Sequence, residues 1–412
     1  MTAIEQLSDI AVPPDVRDRM VAVRRDLHRH PELSRQEHRT AQLIADRLGE
    51  VGVDGVAHPV ADTGVVGWVR GGEPGPTVLV RADIDALGIT EADRGHDYVS
   101  TVEGVSHACG HDGHVAVALA LAERLTAERD ALAGNVVLLF QPAEERGGGA
   151  RRMLDARAWP DDLTPSASLA LHIATELPVG TVDIRPGTIA ASAQSVAVKF
   201  GSPGGHAAYP HLTPDPVVCA SAFVMAAQTI VSRTLAPRSA AVVSFGRIHG
   251  GEDRSAIPAE VELEGTIRTY DNDDLGIIQR RLRQIAEGTA ATHGCTVEVD
   301  LRDDTYPACV NAPAITATVA AAARAVLGEG NVTAERVVAG ADDMSEILMD
   351  LPGCYFWVGG ANPARGLTFP HHSPEFDFDE DAMVVGLAVM EQAVRATLRS
   401  PPSGPNGTSE KL

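Results

Sequence analysis

Eight consecutive residues, His107-Ala108-Cys109-Gly110-His111-Asp112-Gly113-His114, carry one thiol, three imidazoles and one carboxylate. These groups bind a borderline-soft divalent metal, and a Cys and a His two residues apart can meet on one ion from a tight turn. Such a run becomes a site only when other ligands arrive from elsewhere. Three segments offer them: Gln141-Pro142-Ala143-Glu144-Glu145, Leu171-His172 and His371-His372-Ser373-Pro374. The chemistry this set would run is metal-dependent hydrolysis.

Glu144-Glu145 carries the most weight. Adjacent acids at the end of a buried strand repel each other unless a cation offsets the charge. Two neighbours suit two roles, one binding metal and the other left free as a general base. Hydrolysis needs both, because the metal acidifies water and the base takes its proton. Taken singly, each feature has a plainer reading. A Glu-Glu pair is then a solvated acidic loop, Cys109 an inert buried thiol and His172 a strand-end histidine. Their combination favours a metal site. His371-His372 leaves open which imidazole ligates, and His107 and His114 suit supporting positions. Thiolate with imidazole suits zinc, while carboxylates also accept manganese or cobalt.

Other features are less specific. In Gly204-Gly205-His206-Ala207-Ala208 two glycines permit a tight turn and leave the imidazole unshielded, as would an exposed hairpin tip. Arg268 lies on an alternating stretch and would either hold an anionic substrate or form a cross-strand ion pair. Gly147-Gly148-Gly149 lacks the Lys-Ser/Thr of a phosphate loop, so no nucleotide is expected.

The elements that must position these residues follow from periodicity. Val16, Met20, Val23 and Leu27 recur at helical spacing, and Ala41, Ile44 and Leu48 mark a second helix. Gly64 to Arg70, Thr77 to Ala82, Val136 to Phe140, Leu169 to Leu171 and Tyr355 to Val358 read as strands, and Val115 to Leu125 as an Ala-rich helix. Asp83, Asp85, Glu144, Glu145 and His172 then fall at strand ends, the edge where open α/β sheets build sites. From Ser195 to Leu301 the order is β-α-β-β-α-β, the ferredoxin-like arrangement. The fold class expected is α/β: a mixed-sheet catalytic domain with helices on both faces, and an inserted α+β ferredoxin-like domain. Residues 1–187 and 304–399 form the metal-binding catalytic domain, 188–303 the inserted dimerisation or lid domain, and 400–412 a disordered tail holding the Asn406-Gly407-Thr408 sequon.

Charge and cysteine usage narrow the function classes. The 412 residues carry a formal net charge of −22, from 34 basic and 56 acidic side chains, which disfavours nucleic-acid and anionic-membrane partners. Five scattered cysteines, Cys109, Cys219, Cys295, Cys309 and Cys354, suggest a reducing compartment. Met1 to Ile10 does not read as a signal peptide, and no stretch approaches the roughly 20 apolar residues of a membrane helix. A cytoplasmic protein is expected.

Taken in order, several segments resemble one family: Arg24 to Leu33, Arg81-Ala82-Asp83-Ile84-Asp85-Ala86-Leu87, His107 to His114, Gln141 to Glu145, Gly204 to His211 and His371 to Pro374. They are similar to the M20 peptidase-family amidohydrolases, in the subgroup of hippurate hydrolase, N-acyl-amino-acid amidohydrolases and plant auxin-conjugate hydrolases. The resemblance spans about Val16 to Leu398. It implies two domains and one or two divalent ions, Zn, Mn or Co. By matching positions, Cys109, His111, Glu145, His172 and His372 resemble the metal ligands. Glu144 resembles the general base and acid. His206 resembles a histidine that, in relatives, crosses a dimer interface to steady the oxyanion. Asp85 matches an acid behind the ligands that orients the site, and a homodimer is implied.

The departures concern pocket shape. Ser255-Ala256-Ile257-Pro258 stands where relatives often carry Asn-Val-Ile-Pro, which places Ser255 at a substrate-contacting position. Ala341-Asp342-Asp343-Met344 replaces Ser-Glu-Asp-Phe, and Gly88 replaces a common Pro. The expected activity is hydrolysis of the amide bond of an N-acyl amino acid or similar conjugate. A dipeptide or N-carbamoyl substrate on the same site, or a non-catalytic metal- or substrate-binding protein, are the alternatives.

Overall fold

The computed structural model describes residues 10–302 and 305–400. The expected tail lies outside the described residues except for Ser400, and so does the Asn406 sequon. In chain order the first part contains helices α1 (Pro14–Arg29), α2 (His38–Val51), α3 (His111–Ala127) and α4 (Gly149–Ala156). It also contains strands β1 (Gly55–Val60), β2 (Gly64–Arg70), β3 (Glu73–Asp83), β4 (Ala133–Gln141), β5 (Pro165–Pro178) and β6 (Val182–Asp183). Next come β7 (Gln194–Gly201), α5 (Pro216–Thr229), β8 (Ala241–His249), β9 (Glu260–Thr269), α6 (Asn272–His293) and β10 (Thr296–Leu301). The chain then adds α7 (Pro313–Leu327), β11 (Val332–Thr333), α8 (Met344–Asp350), β12 (Gly353–Ala361) and α9 (Asp381–Arg399). Two compact units result. One comprises Met1–Gly187, Val310–Arg336 and Asp342–Leu412, the other Thr188–Cys309 and Val337–Ala341.

The first unit is built on an eight-stranded mixed sheet in the order β1-β2-β4-β3-β5-β12-β6-β11. Its centre, β4-β3-β5-β12, is parallel. Both faces there are covered, so the strands are continuous apolar runs such as Val136–Phe140 rather than alternating ones. Register places functional residues side by side. Asp83 pairs with Gln141, Arg81 with Ala170, and His172 with Trp357. Since Arg81 faces Ala170, Asp83 comes level with His172 two residues on. The short strand expected at Leu169–Leu171 instead runs to Pro178, because β12 continues to pair with it as far as Ala361. His172 therefore lies inside a strand and not at its tip.

Helix α3 starts directly after the Cys109 turn and is buried almost all round. Alanines make that possible, since they let neighbouring backbones approach. Gly113 carries this further: a Cβ there would sit 2.6 Å from the Phe378 ring. The helix that begins with His111 is thus clamped by the core beneath it.

The second unit has a four-stranded antiparallel sheet in the order β8-β9-β7-β10, with α5 and α6 as its helices. This is the ferredoxin-like topology expected from the β-α-β-β-α-β order. Along β7 burial alternates residue by residue, the signature of a strand with one face packed. Asp215 caps α5 by accepting from the Val217 and Val218 N–H groups, and Asp271 caps α6 in the same way. Cys219, Ala220, Phe223 and Ala227 form the buried face of α5. One stretch departs from the expectation that no segment approaches the length of a membrane helix. The continuous helix Pro216–Thr234 spans 19 residues and is long and apolar enough by length and composition to cross a membrane. Only 28% of it is buried, which leaves Val217, Val218 and Met225 exposed.

Candidate metal centre

The turn before α3 sets the first two candidate ligands. Gly110 adopts φ +86°, a left-handed conformation that glycine accepts without strain, and turns the chain from Cys109 into His111 at the first helical position. The His111 Nδ1 is bound by the Asp85 backbone carbonyl at 2.9 Å, which leaves Nε2 to face the site. His372 is drawn in by its backbone, whose N–H donates to the Ala108 carbonyl at 2.8 Å. Glu144 and Glu145 leave the end of β4 in a compact loop. Gly149 packs so tightly under it that a Cβ would fall 1.6 Å from the Pro142 carbonyl oxygen.

These elements bring five predicted ligands together. Donor atoms of Cys109, His111 and His172 lie within 4.8 Å of one another, as do those of Cys109, Glu145 and His372, and of His111, Glu144 and Glu145. Cys109 Sγ is 3.5 Å from His172 Nε2, and His372 Nε2 is 3.3 Å from Glu145 Oε1. His172 is oriented by its own Nδ1, 2.7 Å from the Ile173 carbonyl. His371 Nε2 points to that same carbonyl at 2.8 Å, and of the two adjacent imidazoles it is His372 whose ring lies close to Cys109 and Glu145. Asp85 accepts from the Ser34 hydroxyl at 2.6 Å and from the Glu145 backbone N–H at 3.0 Å, and so ties the glutamate loop to the histidine turn.

The donor set fits a divalent metal on two observations. His111 Nε2 is buried without a hydrogen bond, and Glu145 Oε1 is buried with only the longer contacts to His372 Nε2 at 3.3 Å and His111 Nε2 at 4.0 Å, a costly arrangement for polar atoms that face no cation. The surroundings are also strongly anionic. Burial pushes the Cys109 thiol well up, and the Glu145 and Glu144 carboxylates push it further. Burial likewise raises Glu144 well above the usual carboxylate range, reinforced by Asp342, Glu145 and Asp343. His111 is pulled down by burial, yet the Asp83 carboxylate and Asp85 overcome this and lift it to about 10. A cation reverses this balance, because it favours thiolate, carboxylate and neutral imidazole together. His172, by contrast, is driven well below its ordinary value by burial and by the neighbouring His114 and His371, so it presents a neutral ring.

The sequence put Asp83 at a strand end and His107 and His114 in supporting positions; what it did not foretell is the partner set of Arg81. Asp83 accepts from His114 Nδ1 at 2.6 Å, and His114 Nε2 in turn accepts the Ile173 N–H at 3.0 Å. Arg81, buried on β3, binds Asp83, Asp342, Asp343 and Gln141. The signal was the spacing Arg81-Ala82-Asp83-Ile84-Asp85, charges alternating with apolar residues in a strand otherwise apolar. His107 is buried with both ring nitrogens unpartnered, and burial lowers it to about 4.

The remaining predicted site residues belong to the second unit. His206 is exposed on a two-residue ribbon, where it pairs with Ala256. Ser255 is exposed next to that ribbon, its N–H donating to Asp253 at 2.7 Å. Arg268, on β9, donates to the Thr266 hydroxyl at 2.5 Å and to the Ile267 carbonyl at 3.0 Å.

Residues 79–396 match the sequence profile of peptidase family M20/M25/M40. The chain belongs to this family. Among the relatives of this M20 chain is "Thermostable carboxypeptidase 1" of Saccharolobus solfataricus, 36% identical over 377 residues, which cover 90% of this chain and 93% of that protein. "N-acetyldiaminopimelate deacetylase" of Oceanobacillus iheyensis is 36% identical over 376 residues, 89% of this chain and 95% of its own. Among solved structures, the Bacillus subtilis protein YXEP, described as a dinuclear metal binding peptidase from the M20 family, superposes with a TM-score of 0.81 at 30% identity. The match covers 94% of the M20 chain and all of YXEP. Family and fold together make this chain a metal-binding hydrolase of amide bonds.

Proposed function

We propose that the protein cleaves the amide bond of an N-acyl amino acid or a similar amide conjugate, with Cys109, His111, Glu145, His172 and His372 as metal ligands and Glu144 as general base. One observation carries the reading: Glu144 is buried against His111 and Glu145, at the edge of the ligand set, where a carboxylate can act on a substrate. The triads Cys109/His111/His172 and Cys109/Glu145/His372 share the thiol and suit two ions of zinc, manganese or cobalt. Bound there, a divalent ion supplies an acidified water and a counter-charge for the oxyanion. Glu144 takes the water proton and delivers it to the leaving nitrogen. His206 donates to the carbonyl oxygen as negative charge grows on it, from a second copy of the chain. Asp85 orients His111 and the glutamate loop. Arg268 pairs with the substrate carboxylate, and Ser255 lines the substrate pocket.

The homodimer is supported by one surface. Val217, Val218 and Met225 on α5 are 44%, 51% and 73% exposed, and Val242 and Ile248 lie exposed on β8, the edge strand of the same unit. An apolar face beside an unpaired strand edge suits a second copy of this chain. A cytoplasmic location accords with five unpaired cysteines.

The test is a metal-exchange series assayed on N-acetyl, N-benzoyl, N-carbamoyl and dipeptide substrates. Turnover of N-acyl amino acids at the highest kcat/KM is expected. Preference for dipeptides would favour a peptidase instead, the reading that the carboxypeptidase relative makes the main rival. Inactivity of fully metallated protein across the panel would leave a binding protein.

A further inference from the structure

We propose that Arg81 is a positioning residue that locks the general base to the metal-binding side of the site; the inference rests on the amidohydrolase reading above. The Arg81 side chain is 1% exposed, and its fork reaches both halves of the site. Nη1 donates to Asp83 at 2.6 Å, and Nη2 donates to Asp342 at 3.1 Å and to Asp343 at 3.0 Å. Nε donates to the Gln141 side-chain oxygen at 2.8 Å.

On the Asp83 side the contacts run to the imidazoles. One Asp83 oxygen holds His114, which receives the backbone N–H beside His172, and the other lies 3.7 Å from His111 Nε2. On the opposite side they run to the base. Carboxylate oxygens of Glu144, Asp342 and Asp343 lie within 4.8 Å of one another. Asp342 is held by the Tyr355 hydroxyl at 2.6 Å and the Met344 N–H at 2.7 Å. Asp343 is held by the Gln141 amide at 2.8 Å and the Ala150 N–H at 3.0 Å. Three acids so close repel one another and would separate without a cation between them. A guanidinium does more than neutralise: its rigid planar fork fixes the angle between Asp83 and the Asp342–Asp343 pair. Through those two anchors the orientation of the ligands and the place of Glu144 become one geometry.

An ammonium group keeps the charge and loses the fork, so Arg81→Lys is the variant to measure. Two readouts serve: steady-state kinetics, and the visible spectrum of the cobalt(II)-loaded protein, which reports ligand geometry without any substrate. Arg81→Lys is expected to bind metal at the wild-type ratio and to shift the cobalt bands. Its kcat should fall about 100-fold, the effect of roughly 1 Å of misplacement, with KM within about threefold. A wild-type kcat or an unchanged cobalt spectrum overturns the proposal, and so does a loss of metal in step with activity. If the wild-type protein cleaves no amide, the amidohydrolase reading fails while the cobalt spectrum still decides the role of Arg81. Should Arg81→Lys not fold, Asp342→Asn, which keeps the guanidinium and weakens one anchor, is read by the same rule.

Discussion

The Glu37 carboxylate accepts the Ala143 backbone N–H at 2.9 Å, and Ala143 is held at φ +55° immediately before Glu144. A non-glycine residue in the left-handed region costs roughly 1–2 kcal/mol. Glu37 helps to maintain it and is itself fixed by the Thr63 hydroxyl at 2.5 Å. The direction in which the base leaves β4 is therefore set from the start of α2.

Glu37→Ala should destabilise the protein by about 2 kcal/mol, because the buried Ala143 N–H loses its acceptor. It should also lower kcat by about 10-fold as the loop drifts. Ala143→Gly relieves the strain but adds backbone entropy to the unfolded chain, so its stability should stay within about 1 kcal/mol of wild type. Chemical denaturation and steady-state kinetics measure both. A Glu37→Ala protein with wild-type stability would show that the hydrogen bond does not hold the turn.

Glu144→Gln keeps the size of the side chain and removes its basicity. Turnover should fall by about 10³-fold while metal content stays the same, since the proposed site assigns metal binding to Glu145 and leaves Glu144 as the base. Elemental analysis beside the kinetics separates the roles. Loss of metal in this variant would make Glu144 a ligand.

Removing the metal should cost stability as well as activity. The buried anionic cluster around His111, Glu144 and Glu145 is left unbalanced, so the chelated protein should melt lower. Readdition at 100 times the dissociation constant should restore about 2.7 kcal/mol. Cys109→Ser, which removes the donor shared by two triads, should abolish that metal-dependent rise. Differential scanning calorimetry with and without chelator checks both, and identical melting curves would count against a structural contribution from metal.

Much of the candidate site was legible because its candidate ligands cluster in short motifs. Cys109 and His111 flank one glycine, and Glu144-Glu145 follow an apolar run. The inserted unit was equally legible, since its strands have one packed face and so alternate. Arg81, Asp342 and Glu37 were not. The Arg81–Asp342 contact spans 261 residues and the Glu37–Ala143 contact 106, and nothing local in either segment announces the other. A charged residue buried in a strand looks like a strand end until its partners are seen. The extension of β5 past His172 was hidden for a related reason: Ala174 to Pro178 lacks the apolar run of a central strand, and pairing with β12 decides it.

Beneath the metal centre a second buried ion cluster yields a pH-dependent test. Arg24 is fully buried, pairs with Asp112 at 2.9 Å and Asp377 at 2.7 Å, and stacks its guanidinium 4.5 Å from the Phe378 ring centroid. Burial pushes the Asp377 carboxyl up, but Arg24 and the Tyr98 hydroxyl outweigh it and hold the group below its ordinary 3.8. A folded-state value below the unfolded one means stability that is fully present above pH 3.8 and lost as pH falls through the folded value. Asp377→Asn should therefore cost about 3 kcal/mol at neutral pH, because Arg24 loses one of its buried counter-charges. That gap should narrow as pH drops below 3.8, where the unfolded wild-type chain takes up the proton first, and close as pH passes the lower folded value. Urea denaturation of metal-free wild type and variant from pH 7 downward isolates this contribution, since ligand protonation affects both proteins alike. A gap that stays constant into strong acid would mean that Asp377 supports Arg24 through shape and hydrogen bonding alone.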